Sequence, residues 1–531
     1  MASAIKIVRN LYRDSVSLMQ LSSGLAKLPG VDEASIIMAS AGNIDLLREA
    51  GLVTGAVQAS PSDLLIALKG ESDDALAAAL VEAERALREE PKNTGTGTAG
   101  EMAPRSIQMA LAAAPDATLA LISTPGEYAA AEGMKALRLG LNVMLFSDNV
   151  KVEDEVALKT YARAHQLLVM GPDCGTAIVD GVPLAFANVV RRGVIGVIGA
   201  SGTGLQQVTC LVDRLGLGIS QAIGTGSHDL HKDVGGITML AGIRALGADP
   251  DTQVIVLISK PPAPEVAKKV LAAASRVGKP VVVNFIGADA AAIKGANLHP
   301  VRTLEDAANT AVALAQGGKG ASPGATRLSV PRPKFAAGQR WIRGLYSGGT
   351  FCYEASLLLR ESLGKIWSNA PVDPADRIAD VWKSVEHTVI DLGDDVFTRG
   401  RPHPMIDHRL RNERILKEAG DPAVAVILLD VVLGHGAHAD PAGEMAPVIR
   451  AAQAQAASDG RTVAFVGFVC GTPGDPQGLD RQEKMLRDAG MLLATSNAQA
   501  VRIAAAIASR AAAGSATSPP SRSSTSKRRP R

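Results

Sequence analysis

At 531 residues the chain is too long for one hydrophobic core and calls for about three domains. Its 55 basic and 53 acidic side chains leave a formal charge of only +2, which excludes the strongly basic footprint of a nucleic-acid or membrane-surface binder, and no apolar run reaches the ~18 residues of a spanning helix. Four cysteines (Cys174, Cys210, Cys352 and Cys470), far apart and without a CxxC pair, exclude a disulfide framework and a cysteine zinc site; with an N-terminus that lacks a signal peptide's apolar stretch, they predict a cytoplasmic protein.

Residues 1–91 read as a small α/β sandwich of ferredoxin-like kind. Its strands are expected at 5–8, 34–39 and 64–68, and its helices at 15–27 and 73–90. A Gly/Thr-rich linker follows at 91–100. In 101–190, apolar strands at 118–123, 142–146 and 167–170 alternate with helical segments at 129–139 and 152–165, which predicts parallel strands joined by right-handed crossovers in a Rossmann-like unit. The first of these strands runs into Ser123-Thr124-Pro125-Gly126-Glu127 with no GxGxxG, so nothing specifies NAD. MGPDCG, with Pro172, Asp173, Cys174 and Gly175, marks a sharp turn after the third.

Beyond residue 191 the sequence repeats itself. VIGVIGASGTGLQQV, QAIGTGSHDLHKD, VIVLISK, VVVNFIG and LEDAANTAVALA are echoed, in the same order, by IRGLYSGGTFCYEAS, TVIDLGDDVFTRG, VAVILLD, VAFVGFV and NAQAVRIAAAIA. Each copy reads as a flavodoxin-like domain that binds ligands at the carboxyl ends of its strands. The copies occupy 191–316 and 339–510, joined by a Pro/Gly-rich segment at 317–338; a basic tail at 511–531 reads as disordered.

Several turns carry residues suited to chemistry. Ser201, Gly202, Thr203 and Gly204 lie where a buried strand enters a helix: the glycines let an anion approach the amino-end amides and the hydroxyls add donors, although a serine that merely caps the helix fits too. Ser347, Gly348, Gly349 and Thr350 echo that turn. The two turns either face one another across a pseudo-twofold or hold two separate ligands. No Walker sequence occurs, and no metal centre is expected. Gly224 and Gly226, then Asp391, Asp394 and Asp395, occupy matching strand-end loops, where such carboxylates suit binding Mg²⁺, accepting a proton or anchoring neighbouring amides; Arg401 and His403 follow, and an anion clamp and a salt-bridged surface loop both fit. Lys260 ends another strand, His435 and His438 lack further ligands, and Cys174 lacks a base.

These segments carry a resemblance. From about Asp116 to Ala315, RGVIGVIGASGTG and MGPDCGTAIV are similar to the α subunit of succinyl-CoA synthetase, and DSVSLM, SDNVKVEDE, PLAFANV, SKPPA, IDLGDD and GRPHPMID extend the likeness to the FdrA family from Asp14 to Asp407. The resemblance implies that 101–190 is of CoA-binding type, with Thr124, Pro125, Ser147, Asp148, Asp173 and Cys174 in loops near CoA, and that the helix after Ser201 points at a phosphoryl group. It implies an acyl-CoA-synthetase-like subunit that transfers an acyl or carbamoyl group to or from phosphate, oxalurate plus phosphate giving oxamate plus carbamoyl phosphate being the family's example; Arg401 and Asp394 would orient a small anionic substrate. Two alternatives stand beside it: a succinyl-CoA-ligase-type, NDP-forming subunit whose partner brings Mg with ATP or ADP, and a non-catalytic scaffold. All three imply a hetero-oligomer. The synthetase's phosphorylated His in a Gly-His-x-Gly-Ala context has no counterpart, since Ala288-Asp289-Ala290-Ala291-Ala292 follows VVVNFIG.

Overall fold

The computed structural model describes residues 2–88, 104–318, 330–399 and 401–516. The 91–100 linker, half of the segment joining the repeats (319–329) and the end of the basic tail lie outside them. Four sheets organise the described residues.

In the first, β1 (Ala2–Val8) and β2 (Val31–Met38) flank the central β3 (Leu64–Gly70), all antiparallel. Side chains alternate along β3, so Leu64, Ile66 and Leu68 face helices 15–25 and 73–88 while Leu65 and Ala67 face a helix at Ala41–Glu49. That last helix was not expected. It starts where the Ser40 side chain accepts from the Asn43 amide, and it covers the face of the sheet that a ferredoxin-like layer would leave open.

Three short parallel strands, β4 (Leu119–Ile122), β5 (Asn142–Leu145) and β6 (Val169–Met170), form the second sheet with helices 126–138 and 152–164 packed on it. The hairpin that follows, β7 (Thr176–Val179) and β8 (Val182–Ala185), turns through Asp180 and Gly181, both at positive φ, and joins the next sheet rather than this one.

That next sheet holds β9 (Arg192–Gly199), β10 (Ile219–Gly224), β11 (Val254–Ser259), β12 (Val281–Phe285) and β13 (Leu298–Pro300). Its order, β13-β12-β11-β9-β10-β7-β8, is the flavodoxin-like 2-1-3-4-5 arrangement with the hairpin added antiparallel beyond β10. The fourth sheet, β15-β14-β16-β17-β18, repeats the parallel arrangement with β14 (Trp341–Tyr346), β15 (Thr388–Asp391), β16 (Val424–Val432), β17 (Ala464–Cys470) and β18 (Met491–Ala494). All nine residues of β16 are buried, as a parallel strand covered on both faces requires.

The two repeats share one core. Helices 202–214 and 304–315 of the first and 349–363 and 497–516 of the second meet between the sheets through Leu205, Val208, Ala308, Phe351, Ala355 and Ala504, among others. The last helix runs to Ala516, past the expected start of the tail at 511, because Ala511–Ala513 are strong helix formers.

The β4–β6 unit is fixed to the first repeat by a buried charge. Lys159, fully buried on helix 152–164, donates to Glu155 (2.7 Å), to Asp229 (2.9 Å) and to the Thr225 carbonyl (2.9 Å). Asp229 also accepts from the Thr238 and Met239 amides at the start of helix 237–248. Asp229→Ala therefore leaves an ammonium short of a counter-charge and strips a helix cap, and urea unfolding is expected to show a loss of about 3–5 kcal/mol.

Candidate active site

The two Ser-Gly turns meet. Ser201 caps helix 202–214 by accepting from the Gly204 amide (3.0 Å), and its Oγ lies 2.6 Å from Oγ1 of Thr350, in the first turn of helix 349–363. The reciprocal contact is equally close: a Cβ added to Gly348, the cap of the second helix, would come within 2.8 Å of Thr203. Each cap thus touches the second helical residue of the other copy, as a pseudo-twofold demands. The structural register pairs Ser201 with Gly348, one residue away from a register read by starting the two echoes together.

Two helix amino ends therefore converge, each with about half a positive charge. Gly348 has no side chain to cap with. Among the described residues the amides of Gly202, Thr203, Gly349, Thr350 and Phe351 are paired with no protein acceptor. Such an arrangement is unfavourable unless negative charge is nearby, and two carboxylates from the second repeat supply it.

The first is Asp430, fully buried within β16. It accepts from the Ser347 amide (2.9 Å), the Ser347 hydroxyl (2.8 Å) and the Gly348 amide (3.0 Å), and is paired with the buried Arg411 at 2.8 Å. Arg411 in turn bonds Nδ1 of His408. This overturns the reading of Ser347 as a ligand-binding hydroxyl: it is 1% exposed, and its donors are already filled from inside.

The second is Asp391, at the end of β15 and 8% exposed. Its Oδ1 accepts from the Gly393 amide (2.9 Å), and its Oδ2 sits 2.5 Å from where a Cβ on Gly349 would be. Burial pushes its carboxyl up to about 6 against the attraction of Lys260, which reaches in from the end of β11 with its ammonium 5.9 Å from the Tyr353 ring. Gly393 is wedged between this carboxylate, the Ser347 carbonyl and Nε2 of His403, so only glycine fits there. The His403 Nδ1 accepts from the Met405 amide (3.2 Å), and burial, then Arg411, hold the imidazole down at about 4.

The remaining candidates scatter. Arg401 is paired with Glu33 of the N-terminal sheet (3.3 Å), not with the helix ends, and Asp394 caps the short helix 395–398 through the Val396 amide. Gly224 and Gly226 are close-packing positions: a Cβ would meet the Thr176 carbonyl at 2.4 Å and the Pro172 carbonyl at 2.2 Å. Cys174 is buried and its thiol pushed up to about 12 by burial. Ser147 donates to the Thr124 carbonyl (2.5 Å), and Pro125 opens helix 126–138. Asp148 and Asp173 lie in exposed loop positions, and desolvation, with neighbouring carboxylates adding to it, raises both carboxyls above their ordinary value. His438 contacts Lys27 and Glu444, and among the described residues no set of His, Cys, Asp or Glu side chains could hold a metal. Sequence reasoning missed Asp430 and Arg411, whereas Asp391 was among the strand-end carboxylates it singled out; Asp430 stood at the end of an echoed strand, which was the available signal.

Comparison with known proteins sets these features in a family. Residues 1–104 match a family described as AllF, heavy metal-associated domain, residues 191–287 a CoA binding domain and residues 345–507 a CoA-ligase. The CoA binding match thus covers β9 to β12, downstream of the 101–190 unit to which the resemblance assigned that role, and residues 1–104 contain neither cysteine nor histidine. The α-2 subunit of an ADP-forming succinate–CoA ligase from Trichomonas vaginalis is 27% identical over 295 residues, 51% of this chain and 86% of that one. The corresponding α subunit from Aquifex aeolicus is 28% identical over 177 residues, 32% of this chain and 57% of its own. The acetyl-coenzyme A synthetase 1 of Ca. Korarchaeum cryptofilum, solved with phosphate and ADP, covers 80% of this chain and 89% of its own at a TM-score of 0.34 and 16% identity. YahF of Escherichia coli K12, an uncharacterized protein, is 44% identical over 503 residues, 94% of this chain and 97% of YahF. On that full-length match the chain belongs with YahF to the FdrA family, relatives of the succinate–CoA ligase α subunit.

Proposed function

We propose that this acyl-CoA-synthetase-type subunit transfers an acyl or carbamoyl group to or from inorganic phosphate, with oxalurate plus phosphate giving oxamate plus carbamoyl phosphate as the specific reaction. The observation that carries the reading is the 2.6 Å contact between Ser201 and Thr350, which gathers two helix amino ends and their unpartnered amides beside one point. Phosphate supplies acceptors to the amides that the two carboxylates leave unpaired, and the same donors stabilise the oxyanion that develops when phosphate attacks a carbonyl. Ser201, Gly202, Gly349 and Thr350 border the phosphate, and Lys260 neutralises a carboxylate on the substrate. Partner subunits complete the assembly.

A second reading, an NDP-forming acyl-CoA synthetase subunit in which CoA binds along the Thr124, Pro125, Ser147, Asp148, Asp173 and Cys174 loops and a partner brings Mg with ATP or ADP, is favoured by the relatedness to succinate–CoA ligases. It lacks a phosphorylatable histidine after β12: the loop there runs through Gly287 against Tyr353 and Leu357, and His299 lies beyond, on β13. The scaffold reading draws on Asp430, which fills one of the two turns from within.

The complex purified with its native partners is expected to cleave oxalurate only when phosphate is present, followed by 31P NMR of carbamoyl phosphate. ATP- and CoA-dependent thioester formation instead would favour the second reading, and neither activity the scaffold. Ser201→Trp is expected to abolish turnover. Ser347→Ala, which removes only an internal hydrogen bond, is expected to lower stability by about 1 kcal/mol and leave turnover within about threefold.

A further inference from the structure

Resting on the phosphate site proposed above, we infer that Asp391 is a catalytic residue of the transfer: its free oxygen takes the proton of the attacking phosphate and hands it to the atom that leaves. In the step, an oxygen of HPO₄²⁻ forms a bond to the carbonyl carbon and the carbon–nitrogen bond of oxalurate breaks. The phosphate proton passes through the carboxylate onto the nitrogen, giving oxamate and carbamoyl phosphate with no other reactant. For a thioester the same relay places the proton on the departing sulfur.

The carboxylate is held for this task. Asn369 grips its backbone on both sides, accepting from the Asp391 amide (2.9 Å) and donating to the Asp391 carbonyl (3.0 Å), and the Gly393 amide fixes Oδ1. Oδ2 takes no hydrogen bond among the described residues and borders Gly349, the first residue of helix 349–363. A phosphate drawn to the amides of that helix therefore meets a carboxylate oxygen with nothing else to accept. Two anions side by side repel unless a proton lies between them, and a phosphate hydroxyl donating to Oδ2 supplies it.

Other titratable groups near the helix ends are unsuited. Asp430 is saturated by Ser347, Gly348 and Arg411. Burial raises the Cys352 thiol far from its working range, and His403 is held too low to accept a proton at neutral pH. Lys260, Asp394, Asp430 and Cys352 face Asp391, with His403 on the far side of Gly393. A carboxyl titrating at about 6 is charged at neutral pH and matched to giving the proton back.

The test is Asp391→Asn in the purified complex, with oxalurate and inorganic phosphate as substrates and calorimetric phosphate binding as control. Turnover is expected to fall by about 10²–10⁴-fold while phosphate affinity holds or tightens. The wild-type rate should drop as pH falls through about 6, where the base is protonated, and the variant should lack this limb; phosphate's own ionisation is common to both. Asp391→Ala should regain activity with added formate. Wild-type protein that binds no phosphate sinks the site on which the inference rests. Phosphate binding and turnover in the wild type, matched within about threefold by a folded Asp391→Asn protein, overturn the role of Asp391 alone.

Discussion

Two helices that point their amino ends at one another create an electrostatic problem that much of this chain is arranged around. Each end presents about half a positive charge and amides without intrahelical partners, and burying them together in a shared interdomain core removes the water that would otherwise satisfy them. The protein answers with Asp430 and Asp391, both placed by parallel strands at the carboxyl edge of the second repeat. Asp430 is permanent ballast, paired with Arg411 and tied to Ser347 and Gly348. Asp391 remains half committed, with one oxygen bonded and one turned to the helix end.

The repeat has consequently become asymmetric. In the first copy a serine caps its own helix; in the second a glycine stands at the equivalent cap, so the neighbouring threonine of one helix can reach the serine of the other. Both helices contribute open amides, while Lys260 comes from the first copy and the carboxylates from the second. One ligand lying on the pseudo-twofold follows more naturally from such a division of roles than two independent sites. The lysine-centred cluster around Lys159 and the ion pair of Arg401 with Glu33 then hold the β4–β6 unit and the N-terminal sheet around that centre.

Much of the architecture was legible because the echo of five segments in order leaves few alternatives, and buried parallel strands read as plain apolar runs. Local signals were missed where they were short: Asp180-Gly181 announces a hairpin, yet the strands it joins have four residues each, and Ser40 opens a helix with only Ile44 and Leu47 as buried residues. The site was half legible. Ser201 and Thr350 stood in matching turns, but that they touch depends on how two domains dock. Arg401 was read with His403 because they are neighbours in sequence, while its partner Glu33 lies in another domain. Asp430 interrupts an otherwise apolar strand, and the cost of burying a lone carboxylate was the clue that it must meet charge or backbone donors.

The central claim is that the helix amino ends of both repeats share one anion. Arsenate, a heavier mimic of phosphate, can be located by anomalous diffraction from crystals of the protein soaked in it. One peak per chain is expected beside the Ser201–Thr350 contact, about 2.7–3.2 Å from amide nitrogens of both helices. Arsenate bound elsewhere while these amides stay bare, or the two hydroxyls found beyond hydrogen-bonding distance, would contradict the account.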